Sequence, residues 1–453
     1  MQPTAGRDWT VTTVYLASGG GAAPKAYSAG TLFGAFDFGA GAQTSGGDSD
    51  VYVNAMNPVT GIATWTKDFG DSSAQLGLGV AASSASVGVI GNYLGNMTGT
   101  TLPANGNPAP VDFVLGLSTA NGAPMWGKKV DLGGGDFASI SGNANLGSFF
   151  VCGTFGIAGQ VAGSAGPVDL VAGSTSFGGK DIVVAKIDAT SGAVLWAKNF
   201  GATGDDVCTA VTSSDDGSSV YMTGTYSAAA LTLGSVSLPA AASNAARIFV
   251  AKLNGTDGSV LLASSFGTTG RQLPTSLVAD SSGNVVLGGA FLTSVVFGST
   301  TLTSEGNTDA FVAKFDANLV PLWAQRFGGG NAPQKIQSVA TDSAGHVFAV
   351  GLFTTSINIG AAGALVTSAG ATDAFTVKLD AAGNLTCGAI YGDASGQEAD
   401  AVSVARFATG SAMDTAMFGG AFAGAMNLGP VTLNTGSGAT THAYVVSMNA
   451  NSF

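Results

Sequence analysis

Short apolar runs of seven or eight residues punctuate the chain, most of them opened by Asp and closed by Asp, Asn or Ser. "DVYVNAMN" begins at Asp50. "DFVLGLS" from Asp112, "DIVVAKID" from Asp181, "RIFVAKLN" from Arg247, "DAFVAKFD" from Asp309, "DAFTVKLD" from Asp373 and "HAYVVSMN" from His442 fall into register with it. They are apolar at nearly every position instead of alternating, the pattern of a strand buried on both faces of its sheet. The repeat length is about 60 to 70 residues. Six of the seven runs continue through a tight turn into a strand with a large residue at one position and usually an aromatic four residues later. These pairs are Trp65/Phe69, Trp126/Val130, Trp196/Phe200, Leu262/Phe266, Trp323/Phe327 and Cys387/Tyr391. Upstream of the runs, two further apolar stretches flank Asp, Ser, Asn and Gly, as in "SLVADSSGNVVLGGAF" from Ser276 and "SVATDSAGHVFAVGLF" from Ser338. Those residue types supply the positive φ angles and side-chain-to-backbone bonds of hairpin turns.

Each repeat thus predicts four strands, and small sheets covered on both faces by copies of themselves are the blades of a propeller. The expected fold class is all-β: a seven-bladed β-propeller of four-stranded antiparallel blades. The blades fall near 9–70, 71–131, 132–201, 202–267, 268–328, 329–392 and 393–453 of a single domain. The repeats hold seven first, seven second and seven third strands but six clear fourth strands, so ring closure is expected to be asymmetric, with a three-stranded last blade as one outcome. The stretch around Trp9, "RDWTVTTVYL", either completes that blade or forms the inner strand of the first. The 24 residues from Trp9 to Phe33, against 28 to 35 between equivalent positions elsewhere, favour the inner strand.

Composition narrows the classes of function. With 45% hydrophobic and only 10% charged residues, the chain is not a highly charged disordered segment. No apolar run approaches the roughly 18 to 20 residues of a membrane-spanning helix, so a soluble β protein without direct membrane insertion is expected. The start "MQPTAGRDWT" lacks the charged-then-apolar pattern of a signal peptide. If the protein is exported, its signal lies outside this sequence. The formal charge is −12, from 28 acidic against 16 basic residues, with no Lys/Arg cluster, which argues against nucleic acid and anionic membrane surfaces as partners.

The pattern D-x-F-V-A-K-L-D, a Gly-containing turn, W-x-x-x-F-G and S-x-x-x-D-S-x-G-x-V-Y-V-x-G-x-F resembles the seven-bladed β-propeller repeat (SBBP) of bacterial secreted and surface proteins, from about residue 9 to 450. That resemblance implies export and a binding or adhesive role, and names no ligand. "DATSGAVLW" from Asp188 is also similar to the tryptophan-docking repeat of quinoprotein-type propellers, which bears on blade packing.

Candidate chemistry is sparse. Leu262 and Cys387 stand where Trp usually does, so the tryptophans read as packing residues that join an outer strand to the next blade, not as ligand platforms. Lys186, Lys252, Lys314 and Lys378 recur on the third strand. A ring of them would suit an anion, but Ala55, Gly116 and Ser447 interrupt it, and a packed stem with its head at solvent or a carboxylate is the expectation. Asp50, Asp181, Asp309 and Asp373 are expected to form turns. Calcium is the one cofactor left open, since its sites want six to eight oxygens.

With His346 and His442 the only histidines, nucleophilic catalysis has little to draw on. Cys152, Cys208 and Cys387 show no metal-binding spacing. Cys152, on the third blade's second strand, and Cys208, just before the fourth blade's first strand, are expected to be free, buried thiols. No catalytic, cofactor-binding or metal residue is assigned. The third blade's long connection, Gly156 to Lys180, is the expected place of recognition.

The reading is a non-enzymatic secreted or cell-surface binding or adhesion module whose ligand is a polysaccharide or a protein partner. One alternative is a scaffold subunit of a larger envelope or appendage assembly, whose mark would be an exposed apolar patch or an unpaired outer edge on the last blade. Another is a propeller enzyme with its site at the central channel.

Overall fold

The computed structural model describes residues 13–17, 25–142, 145–156, 170, 177–227, 229–242, 245–267, 269–359, 365–370, 372–405, 415–428, 431–434 and 442–449. Among them there is no helix. The strands form seven radial antiparallel sheets. In the first, Thr13–Ala17 is innermost, followed outward by Lys25–Leu32, Asp50–Met56 and Ala63–Phe69. Five more four-stranded sheets lie within 75–130, 137–200, 206–266, 272–327 and 334–391. Among the described residues the seventh has three strands, Gln397–Ala405, Thr415–Phe422 and His442–Asn449. The chain is a seven-bladed β-propeller.

The ring closes where the first blade meets the last. Thr13–Ala17 pairs with Lys25–Ala29 and packs beside the last blade's innermost strand. The stretch after Trp9 is therefore the first blade's inner strand, while Trp9 itself lies outside the described residues. A shared core of Ala26, Tyr52, Met56, Ala401, Met417 and Ala443 joins the two blades.

Burial follows the radius. Second and third strands are buried along almost their whole length, as Ser148–Phe155 and Asp309–Phe315 show, which is why those segments read as continuous apolar runs. In the fourth strands of the second and third blades only the Trp and the apolar residue four positions on are fully buried. Blades diverge outward, so only a side chain as long as an indole spans the widening gap.

Each of the four described tryptophans crosses that gap onto the turn between the third and fourth strands of the next blade. The indole Nε1 of Trp65 donates to the Thr119 carbonyl (3.3 Å), Trp126 to Ala189 (2.9 Å), Trp196 to Gly255 (3.2 Å) and Trp323 to Ala381 (3.1 Å). The ring covers a glycine with positive φ in the same turn: Gly122, Gly192, Gly258 and Gly383 in that order. A Cβ on Gly192 would stand 2.5 Å from the Trp126 ring. The exception follows the same rule. Leu262 replaces Trp on the fourth blade, and the turn it faces carries a buried Leu319 at φ 63° instead of glycine.

The fourth strands share a second irregularity. Register slips by one residue just before the Trp position in all six, so Thr64, Met125, Leu195, Leu261, Leu322 and Thr386 are bulge residues pushed out of the ladder.

The expectation of free thiols at Cys152 and Cys208 is corrected: the two form a disulfide, with Cα atoms 6.1 Å apart. Cys208 lies within the fourth blade's inner strand, Asp206–Ser213, not before it, and Cys152 sits on the facing second strand of the third blade. Both are fully buried in one interblade core, a juxtaposition that spacing along the chain does not encode. Cys387 is free and exposed.

Two outcomes test this packing. Gly192→Ala and Gly61→Ala both place an alanine at φ near +70°, a strain of about 1–2 kcal/mol. Only position 192 has an indole over it, since nothing stands within 4 Å of a Cβ at Gly61. Denaturant titration should show Gly192→Ala to be the more destabilising by a further ~1–3 kcal/mol; equal losses would remove the docking argument. Reducing the disulfide, or the double change Cys152→Ser with Cys208→Ser, should cost about 2–4 kcal/mol in the same assay, and no loss would mean that the interblade core suffices alone.

Candidate binding surfaces

Most residues singled out in the sequence are spent on joining blades. The turn that opens each docking site begins with Asp or a similar residue because its side chain accepts the amides ahead of it. Asp188 Oδ1 takes Thr190 N (3.1 Å) and Ser191 N (2.8 Å), and Asp380 Oδ1 takes Ala382 N (2.9 Å) and Asn384 N (2.8 Å). The lysines lie on the same interfaces. Lys186 Nζ donates to the Gly255 carbonyl (2.8 Å), the acceptor of Trp196, and sits 5.4 Å from the Phe150 ring centroid. Lys252 reaches the Ala317 carbonyl (3.1 Å) of the next blade, on the side where Leu262 has no indole to offer. Lys314 forms a buried ion pair with Asp280 at 3.0 Å. Carbonyls of the neighbouring turn, which sequence reading did not anticipate, are the main acceptors.

The aspartates that open the third strands hold the chain four residues back. Asp50, Asp181, Asp309 and Asp373 accept the amides of Gly46 (3.0 Å), Phe177 (2.6 Å), Glu305 (3.2 Å) and Ala369 (2.9 Å). Each carboxyl also lies against the glycine that follows the fourth-strand aromatic, Gly70, Gly201, Gly328 or Gly392, which explains the F-G in the repeat. Beyond that glycine the next blade begins with Gln75, Gln334 or Gln397, and with Asp206 after Gly201.

Asp206 therefore occupies a glutamine's place with a carboxyl group. Burial raises its pKa to about 7 against the Ala202 amide bond, and Asp181 adds to the rise. As a neutral acid it can stand in for the carboxamide. Asp112, in the second blade, is raised to about 8 by burial, with Asp136 and Asp131 contributing.

The two histidines stand apart. His346 closes a hairpin turn with Nδ1 2.6 Å from Asp342 Oδ2, and His442 opens the last third strand beside Phe422.

Inner strands of six blades line a cavity of about 500 Å³ on the axis. Hydroxyls on its wall stitch neighbouring inner strands together. Ser139 Oγ accepts from Val211 N (3.2 Å), Ser276 Oγ accepts from Val339 N (3.1 Å), and Thr275 Oγ1 donates to the Ile336 carbonyl (2.7 Å). Two carboxylates, Asp215 and Asp400, also line the cavity, and Asp400 accepts from Gln337 of the neighbouring blade (3.4 Å).

The periphery differs. Connections between second and third strands form two-stranded ribbons at one end of the propeller in the first, fourth, fifth, sixth and seventh blades. The connection expected to carry recognition, Gly156 to Lys180, lies largely outside the described residues. At the opposite end, the bulge residues form a recurrent rim. In the first and sixth blades they are Thr64 and Thr386, whose hydroxyls close the bulge by donating to the Ala55 (3.1 Å) and Lys378 (3.0 Å) carbonyls. In the four consecutive blades between, the same position holds Met125, Leu195, Leu261 and Leu322, exposed by 41% to 54%. The bulge does not require an apolar residue, so the row of four is a surface feature in its own right.

No family model matches the chain and no curated protein is similar to it. Among solved structures it is similar to BamB from Moraxella catarrhalis at 13% identity, covering 90% of this chain and 82% of that one with a TM-score of 0.39. It is likewise similar to the quinohemoprotein alcohol dehydrogenase from Comamonas testosteroni at 11% identity, covering 97% and 76% with a TM-score of 0.40. A europium-containing methanol dehydrogenase matches at 9% identity over 92% and 80%, with a TM-score of 0.41. Likeness of this order assigns no function.

The buried acids set a pH dependence. Folded Asp112 and Asp206 keep protons that the unfolded chain releases near pH 4, so stability should fall as pH rises from about 4 to about 8 and then level off. Raised Asp50, Asp309 and Asp373 act in the same direction. Melting temperature across that window is the measurement. Asp112→Asn with Asp206→Asn should flatten the slope, and an unchanged slope would rule these two groups out as its source.

Proposed function

We propose that this propeller is a non-enzymatic binding module whose partner is a protein, held by the apolar rim of the second to fifth blades. The observation that carries the reading is the row Met125, Leu195, Leu261 and Leu322, exposed at bulges where threonine serves the fold equally well. Solvent-exposed apolar side chains in register across four blades favour burial against another protein's apolar surface. A polysaccharide site would instead gather polar donors and acceptors, and the axial hydroxyls of Ser139, Thr275 and Ser276 are engaged between blades. The rim thus favours a scaffold or adaptor over a glycan adhesin. The buried Cys152–Cys208 disulfide supports export to an oxidising compartment, in line with the repeat's resemblance to the SBBP proteins.

The test replaces Met125, Leu195, Leu261 and Leu322 together by threonine, the residue native to the first and sixth blades. The variant should melt within a few degrees of the parent. In affinity capture from the producing cell's envelope fraction, the parent should recover a stoichiometric protein that the variant loses. Recovery by both, or capture only of carbohydrate, would contradict the rim reading.

A further inference from the structure

We propose, on the basis of the apolar rim as a protein contact, that the partner presents a cationic amphipathic surface, an apolar ridge flanked by lysines or arginines, to the four joints from the second blade to the sixth. The rim is not apolar alone. Each of its four side chains is followed by the residue that faces the next blade's turn, and in all four cases that turn carries an aspartate. Met125 goes with Asp188, Leu195 with Asp257, Leu261 with Asp316 and Leu322 with Asp380. A joint without the apolar residue lacks the acid as well. Thr64 precedes Trp65, which docks on Thr119, and the turn from Ser118 to Ala123 holds no acidic residue.

The turns do not need these charges. What each uses is one oxygen accepting the amide two residues on, and neutral side chains supply it: Asn57 Oδ1 accepts from Val59 N (2.8 Å), Ser118 Oγ from Ala120 N (3.2 Å) and Asn254 Oδ1 from Thr256 N (2.8 Å). The fourth blade separates charge from turn most clearly. Its turn opens with neutral Asn254, yet exposed Asp257 stands three residues later and accepts from Ser259 N (2.8 Å). Hydrogen bonds from the side chains of Ser191, Ser259 and Asn384, joined by turn amides, hold Asp188, Asp257 and Asp380 below the ordinary carboxylate range, so all three are ionised at neutral pH. Exposed Asp215 and Asp216 at the fourth blade's hairpin add two more acids to this end.

Cations nearby are mostly spent. Lys186, Lys252 and Lys314 place their heads inside the joints, on turn carbonyls and Asp280, while Lys198 of the outer strand acts on Asp257. Every loop at this end of the second to fifth blades lies within the described residues except positions 143 and 144, so the row is not the seat of an internal loop of these blades. An apolar side chain beside a carboxylate, repeated at four joints, matches residues with an apolar stem and a cationic head. Lysines or arginines in an apolar segment would pack on the Met or Leu and pair with the Asp, while acidic surfaces are kept away. The same carboxylates disfavour an anionic lipid surface, the other place where exposed leucines are buried.

The probe is a fluorescent peptide of about 14 residues with leucines on one helical face and lysines on the other. It is compared with a counterpart carrying glutamate for lysine, both added to the whole chain. Anisotropy should show saturable binding of the lysine peptide, with the glutamate peptide roughly tenfold weaker or more. Asp188→Asn, Asp257→Asn, Asp316→Asn and Asp380→Asn together keep the oxygen that each turn uses, so the melting temperature should hold while the lysine peptide weakens by a similar factor. Changing the exposed Asp37, Asp48 and Asp205 of the ribbon end to Asn should leave binding unchanged. Equal binding of the two peptides, or binding indifferent to the four rim asparagines, would overturn this inference. If threonine at the four apolar positions then abolishes binding, the rim itself still stands as a protein contact. Lysine-peptide binding that the asparagines abolish and the threonines leave intact would overturn both. No binding of either peptide, or retention of the chain on phosphatidylglycerol vesicles, would also overturn the cationic assignment.

Discussion

Everything in this propeller depends on how wedge-shaped blades are joined where they diverge. Near the axis, strands are close enough that Gly, Ala and Ser hydroxyls suffice. At the periphery the gap must be crossed by a long side chain, and an indole does so with an apolar body and one donor. The donor needs an acceptor and the ring needs a flat place to lie, and one turn supplies both, through its exposed carbonyl and its glycine at positive φ. Trp126 over Gly192 and Trp196 over Gly258 are the same joint built twice.

The joint explains the composition and also where functional surface becomes available. A strand held by two anchors four residues apart has little freedom, and the bulge just before the first anchor turns its residue outward in the six fourth strands described. Where nothing is asked of that residue, threonine closes the bulge on itself. Where the chain places Met or Leu, it spends solubility without structural return, which is the reason for reading the second to fifth blades as a contact surface.

Much of this was legible in the sequence. Full burial of the third strands, as in Asp309–Phe315, leaves a continuous apolar run, and recurrent turn chemistry sets the strand count, so blade number and antiparallel order follow from pattern alone. The pairing of Trp with a glycine in the following repeat was also written in the chain, most clearly by the joint exception of Leu262 and Leu319. What pattern cannot carry is contact between blades. The Cys152–Cys208 disulfide brings together residues 56 apart whose facing depends on blade stagger. The lysine heads sought backbone carbonyls, which no side-chain identity reveals. Asp206 and Gln334 occupy equivalent places because a protonated acid and an amide are similar in shape, a likeness that a formal charge count conceals. The apolar rim was missed for a local reason: a strand that alternates imperfectly looks the same whether its odd residue is buried or bulged.

The central claim is that interblade docking, more than any single sheet's own ladder, holds the outer strands in place. Native-state hydrogen exchange resolved by residue tests it most directly. The outer strands anchored by Trp126 and Trp196 should exchange slowly, through opening of both neighbouring blades. The outer strand bearing Cys387 and the edge strand His442–Asn449 should exchange orders of magnitude faster. Uniform protection across all outer strands would contradict the account, because it would mean that the sheets are stable without their joints.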